Sequence, residues 1–275
     1  MITLADVISA INYSRAKDEI TNFIARYISE ARVKGAVVGV SGGVDSCTTL
    51  ALTAEALGPR KVTALVLPSG FTPRQDVEDA VALAKRLGVR HYVISIDQLL
   101  SAFSYLPIYD ENDAVARGNL MARIRMAVLY YYANKNNLLV VGTGDKSELM
   151  LGYFTKYGDG GVDILPIGDL YKTQVREMAK FLGLPESIAL KPSAPRLWAG
   201  HTAEGELGLK YGEVDLVLYA YELGIPKEDI PRETGVSKTK VETILRRVRQ
   251  NAHKRAPPPV AQLDKAKQYV VRRSF

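Results

Sequence analysis

One cysteine, Cys47, and one tryptophan, Trp198, are present in 275 residues. A lone thiol excludes an intramolecular disulfide and any cysteine-rich metal site. No apolar run approaches the roughly 18 residues of a membrane span, so no membrane partner is expected. The N-terminus, Met1-Ile2-Thr3-Leu4-Ala5-Asp6, lacks the basic start and apolar stretch of a secretion signal. No internal repeat or low-complexity tract interrupts the chain. His91 and His201 have no metal-ligating partner at a suitable spacing. These absences leave a cytoplasmic globular protein as the expectation.

What is present supports a sizeable core: hydrophobic residues make up 47% of the chain, and the mean hydropathy is −0.04. The net charge of +6 and pI near 9.2 suit either nucleic acid or small molecules carrying several phosphates. Much of that excess lies late, at Arg246, Arg247, Arg249, Lys254 and Arg255, then Lys265, Lys267, Arg272 and Arg273. The last dozen residues read as a solvated basic tail.

Apolar periodicity predicts helices over 14–33, 46–57, 74–87, 98–103, 115–134, 172–182, 211–223 and 237–252. Short apolar strands are predicted at 36–40, 62–67, 91–96 and 138–141. Alternation of the two means right-handed crossovers and a parallel sheet covered by helices on both faces. Such sheets bind ligands at the carboxyl ends of their strands, where the 41–46 loop and the 142–148 turn both fall. The segments 152–168 and 191–205 read as long loops. One domain over 1–275 is expected: a helical segment about 1–33, an α/β core about 34–190 and a helical part about 191–275.

Ser41-Gly42-Gly43-Val44-Asp45-Ser46 follows the first strand and opens a helix. Consecutive backbone N–H groups beside a helix N-terminus bind phosphate or pyrophosphate. A carboxylate there, Asp45, makes sense if Mg²⁺ lies between it and the phosphates. No lysine follows the glycines as a Walker loop needs, and the spacing is not that of a dinucleotide fingerprint. Gly39-Val40-Ser41-Gly42-Gly43 matches G-x-S-x-G, and Asp163 and His253 follow in the order a hydrolase triad needs. That nucleophile elbow normally follows several strands, and only one precedes it here. Cys47 reads as a small residue packing under the sheet. By itself the loop says only that pyrophosphate is bound.

The loop resembles that of the ATP-pyrophosphatases, which activate a carboxylate or amide oxygen with AMP. Within that group the chain is similar to the NAD synthetases over about residues 14–260. Gly118-Asn119-Leu120-Met121-Ala122-Arg123-Ile124-Arg125-Met126 looks like their R-G-N-x-x-A-R-x-R-M helix. Val141-Gly142-Thr143 with Glu148 resembles their G-T-x-x-x-x-E segment. Gly152-Tyr153-Phe154-Thr155-Lys156-Tyr157-Gly158-Asp159-Gly160-Gly161-Val162-Asp163 matches another of their runs nearly letter for letter. Pro166, Leu170, Lys172 and His253-Lys254-Arg255 continue the likeness. The segment 191–198 departs from the bacterial K-A-P-T-A-D-L pattern, and Val66 stands where some relatives carry arginine.

The resemblance implies an α/β fold of the Rossmann-like, adenine nucleotide alpha-hydrolase-like kind. It also implies a homodimer with deamido-NAD bound across the subunit boundary. ATP would contact Gly39, Val40, Ser41, Gly42, Gly43, Val44, Asp45, Ser46, Thr143, Lys172 and Ser193. Asp45 and Glu148 would hold Mg²⁺. Arg123, Lys156, Asp163, His253 and Lys254 would contact deamido-NAD, and Asp159 would help position ammonia. The expected reaction turns deamido-NAD, ATP and ammonia into NAD, AMP and pyrophosphate through an adenylated carboxylate. Free ammonia is expected because the chain has neither an added amidase domain nor a suitable cysteine. A tRNA-modifying enzyme with the same loop, to which the basic pI points, and a non-catalytic nucleotide binder are the alternatives. Neither extra cysteines nor an added RNA-binding domain is present, so no nucleic acid is expected as a partner.

Overall fold

The computed structural model describes residues 1–261 except Ala199; the basic residues from Lys265 to Arg273 lie outside the described residues. The chain opens with α1 (Leu4–Ser9) and α2 (Tyr13–Glu30), the latter capped by the Asn12 side chain. β1 (Gly35–Gly39) leads through the Gly-rich turn into α3 (Val44–Leu57), then β2 (Val62–Val66), α4 (Arg74–Arg86) and β3 (Arg90–Val93). α5 (Asp97–Phe103) and the long α6 (Ala114–Asn136) precede β4 (Leu138–Val141). The remaining helices are α7 (Lys146–Leu151), α8 (Lys172–Phe181), α9 (Glu186–Ala189), α10 (Ala203–Leu207), α11 (Tyr211–Glu222), α12 (Ile230–Thr234) and α13 (Lys238–Gln250).

The four strands form one parallel sheet in the order β3-β2-β1-β4. The order reverses between β1 and β4, so their carboxyl ends open a crevice at the topological switch point. Side chains alternate across the sheet as strand geometry requires. Ala36, Val38, Val62, Ala64 and Val66 pack on one face with α2, α3, α4, α8 and α9. Val37, Leu65 and Val140 pack on the other with α5 and α6. A third cluster joins α1, α7, α11, α12 and α13.

The four predicted strands and eight predicted helices form, with ends shifted by a few residues. α3 begins at Val44, ahead of the expected 46, which places Asp45 in its first turn. The third strand is shorter than its apolar run; Tyr92 and Val93 are 44% and 50% exposed on the sheet edge. Beyond it, Ile94 and Ile96 still donate to Val66 O and Pro68 O. α1, α7, α9, α10 and α12 were not expected, because helices of four to six residues are too short to show periodicity. Within the expected C-terminal helical part, 191–198 and 200–202 are not helical.

Candidate active site

The turn after β1 folds tightly because Gly42 adopts φ 81°, and a Cβ there would lie 2.0 Å from Asp76 O. Ser41 N and Ser41 Oγ lie 3.1 Å from Ser46 Oγ, which donates to Gly43 O at 3.1 Å. The loop thereby aims at the N-terminus of α3, where the helix dipole favours anions. Across the crevice, Asp145 caps α7 and accepts from Glu148 N at 2.8 Å, while Glu148 Oε2 accepts from Asp145 N. This reciprocal capping box brings two carboxylates to one helix end.

Lys172, at the start of α8, is fully buried and joins the two sides of the crevice. Its Nζ lies 2.7 Å from Asp45 Oδ2, 2.8 Å from Asp145 Oδ2 and 2.8 Å from Glu148 Oε1. It also lies 5.1 Å from the centre of the Tyr211 ring. Oxygens of Asp45, Asp145 and Glu148 all fall within 4.8 Å of one another. Like charges crowd around a single buried ammonium here. Burial outweighs Lys172 and pushes Asp145 up to about 7, with Asp45 adding repulsion. Burial likewise raises Glu148 well above the usual carboxylate range. Burial opposes the charge on Lys172, but Asp145, Asp45 and Glu148 together hold it strongly protonated. Asp45 Oδ1 is buried without a hydrogen-bond partner, a free ligand atom facing the cluster's own chemistry.

The cluster is fixed from behind. Asp215 on α11 accepts from Ser147 Oγ at 2.5 Å and Thr173 N at 2.8 Å, and Lys172 N donates to Ser147 Oγ at 2.9 Å. All four residues are buried, so the N-termini of α7 and α8 are clamped together.

A cavity of about 480 Å³ runs along the switch point. Gly39, Val40, Ser41, Gly43, Val44, Asp45, Ser46, Thr143, Glu148, Asp159, Ser193 and Lys254 line it. Gly42 and Lys172 sit directly behind that lining. Asp159 lines this cavity and accepts from Thr155 N at 2.8 Å. Enclosure raises its pKa, against the pull of the Thr155 amide, Lys254 and Arg125. Lys254 donates to Gly152 O and Phe154 O, each at 2.8 Å, and burial pushes its own pKa down. Ser193 Oγ is buried without a partner in the cavity wall.

Four expected dinucleotide contacts lie elsewhere. Arg123 donates to Lys156 O at 3.3 Å and borders a second hollow with Tyr130, Tyr157 and Gly161. Lys156 Nζ donates to His253 O at 3.1 Å. Asp163 accepts from Val140 N at 2.7 Å and from Tyr130 OH at 2.9 Å, tying its segment to β4 and α6. Tyr157, in the same hollow as Arg123, is 60% exposed.

Several site residues were not singled out from the sequence. Asp145 carried a signal, the D-x-x-E spacing of a capping box before an apolar run. Arg125, which lines the cavity and donates to Leu67 O at 2.9 Å, stood inside the motif that yielded Arg123. Asp76 and Asp79 carried none: they meet Lys191 from more than 110 residues away, at 3.0 Å and 2.5 Å. Asp215 is similarly remote from Ser147.

Residues 16–258 match the NAD synthase family. The chain is 54% identical to the NH(3)-dependent NAD(+) synthetase of Staphylothermus marinus over 96% of each chain. It is 51% identical to that of Pyrobaculum aerophilum, over 96% of this chain and 98% of the relative. Among solved structures it resembles NMN synthetase from Francisella tularensis, with TM-score 0.80 and 34% identity over 91% of this chain and 99% of that one. NH3-dependent NAD synthetase from Campylobacter jejuni, in complex with the nitrate ion, gives TM-score 0.78 and 31% identity over 92% and 100% of the two chains. The phosphate loop, the carboxylate cluster facing it and the match over nearly the whole chain lead to one conclusion: the chain belongs to the NAD synthase family.

Proposed function

We propose that this chain acts as one NAD synthase domain that amidates deamido-NAD with free ammonia at the expense of ATP. The observation that carries the reading is the convergence of the 41–46 loop, Lys172 and three carboxylates on the cavity that also holds Asp159 and Lys254. The loop amides and Thr143 receive the triphosphate, with Ser193 as a further donor; Lys172, expected at ATP, instead holds the three carboxylates from behind the lining. The nicotinate carboxylate attacks the α-phosphorus; the bond to the β-phosphate breaks, giving a mixed anhydride and pyrophosphate. Ammonia then adds to the activated carbonyl, AMP leaves and a proton is lost. Asp159, with its raised pKa, is suited to accept a proton from ammonium.

Asp45 and Glu148, joined by Asp145, have the oxygen donors Mg²⁺ prefers, and the unpartnered Asp45 Oδ1 fits such a ligand. Bound there, the ion would neutralise charge on the leaving pyrophosphate. The chain's own contribution is alignment and fixed charge. Arg123, Lys156, Asp163 and His253 would meet the dinucleotide, with the site completed by a second copy. The exposed Tyr157 beside Arg123 gives apolar surface that a homodimer would cover. We read the assembly as cytoplasmic; no described helix is long and apolar enough to cross a membrane.

The test incubates the protein with ATP, Mg²⁺, ammonium and deamido-NAD. NAD, AMP and pyrophosphate are expected in equal amounts, with no turnover when glutamine replaces ammonium. ADP as product, or no NAD, overturns the reading. Faster amidation of nicotinate mononucleotide than of deamido-NAD would reassign the acid substrate.

A further inference from the structure

The segment 191–198 departs from the bacterial pattern, yet it forms a wall of the cavity and carries the chain's single tryptophan. The Trp198 ring stacks on His201, with centroids 3.5 Å apart and planes 10° from parallel. His201 is only 3% exposed. Its Nδ1 accepts from Leu197 N at 3.4 Å, so Nε2 is the donor to Glu206 Oε2 at 2.7 Å. The same carboxylate oxygen accepts from Tyr153 OH at 2.6 Å. Three separate stretches of chain thus fix the imidazole, and the imidazole fixes one face of the indole. Trp198 also lines the cavity, within reach of whatever binds there.

The neighbouring wall is cationic and aromatic. Lys254 and Arg247 line the same cavity, and Lys254 Nζ lies 5.4 Å from the centre of the Phe154 ring. We propose that Trp198 is a specificity-determining residue: the platform on which the pyridine-carboxylate ring of the acid substrate stacks. This rests on the amidation reading above. A pyridine glycosylated on its ring nitrogen is a planar cation, which an indole face attracts more than it does a neutral purine. The ring's carboxylate needs a cation beside it, and Lys254 and Arg247 provide two. Adenine offers a flat ring without the charge or the carboxylate. The pre-stacked His201 means that the indole is held before the substrate arrives, so little ordering is left to the binding step.

Trp198 is its own reporter, because no other residue of the full chain contributes tryptophan fluorescence. The protein is titrated separately with nicotinate mononucleotide, which carries the ring without adenine, and with AMP, which carries adenine without the ring. Strong quenching by the first and little by the second is expected. Quenching by AMP alone, or by neither, overturns the proposal. In parallel, Trp198→Ala is expected to raise KM for deamido-NAD about tenfold with KM for ATP nearly unchanged, and Trp198→Phe to recover most of the loss. An equal rise in both KM values marks a structural role and refutes the platform. Should Trp198→Ala fail to fold, the quenching of the unaltered protein still decides. A protein that makes no NAD at all fails the amidation reading. One that turns over without quenching fails only the platform.

Discussion

Lys172 and Lys191 each gather carboxylates around the 41–46 loop, but from different kinds of structure. Lys172 is fully buried at the start of α8 and meets acids on α3 and at the capped end of α7. Lys191 is 13% exposed in a non-helical segment and meets Asp76 and Asp79 on α4, with Gly42 O at 2.8 Å. Arg196, at φ 55°, adds a second link to Asp76 at 3.1 Å. The two clusters differ at the cation: Lys172 has no exposed surface, whereas Lys191 keeps a little. The first joins three helices of the fold, and the second ties the non-helical segment 191–196 to α4.

The comparison breaks hardest at Asp45. Asp45→Asn removes a charge that faces both Lys172 and the proposed metal, and should slow pyrophosphate release by at least about a hundredfold. Quench-flow measurement of pyrophosphate decides; normal turnover removes Asp45 from the chemistry. Lys172→Ala removes the buried cation that three acids share and should cost about 3–5 kcal/mol, read as a lower urea midpoint at unchanged slope. Lys191→Ala leaves Asp76 paired with Arg196 but takes the cation from Asp79, and should cost less, about 1–3 kcal/mol. Its expected effect is a severalfold higher KM for ATP. Equal midpoint shifts in the two variants would erase the distinction between the two clusters.

The buried cluster should also carry a pH signature. Asp145 has its folded pKa raised from 3.8 to about 7, so it binds its proton more tightly when folded. Its contribution to stability is full below about pH 4 and is lost as pH rises towards 7. Lys172, raised above its usual range, keeps its contribution until well into alkaline pH. Urea midpoints of the unaltered protein should therefore decline between pH 4 and 7 relative to Asp145→Asn, in which that slope is absent. A parallel pH dependence in the two would show that Asp145 does not titrate there.

What the sequence revealed divides along the same line. The Gly-rich loop, β1, β4 and the long helices were readable because backbone geometry and periodicity are local properties. Asp45 and Glu148 were readable as acids at strand ends, and the D-x-x-E spacing could have added Asp145. The Lys191 cluster was not, because Lys191 and Asp76 lie 115 positions apart and meet only once the chain between them has folded. Asp215 was hidden for the same reason, and the helices of four to six residues were too short for a period. The motifs named Arg123 and Lys254 together, but the fold puts only Lys254 on the main cavity.

Cys47 gives the smallest effect. It sits in α3 under the phosphate loop with no exposed surface, and burial pushes its thiol up to about 12, partly offset by Lys191. A thiol held so far from ionisation is a poor nucleophile. Cys47→Ala removes one buried sulfur and should cost about 1 kcal/mol or less. If the loop acts through its amides and dipole, the ammonia-dependent rate stays within about twofold of the unaltered protein. Iodoacetamide should alkylate the folded chain only slowly, as followed by intact mass. A large loss of rate in Cys47→Ala without loss of stability would mean that the side chains under the loop, and not its backbone alone, set the geometry of phosphate binding.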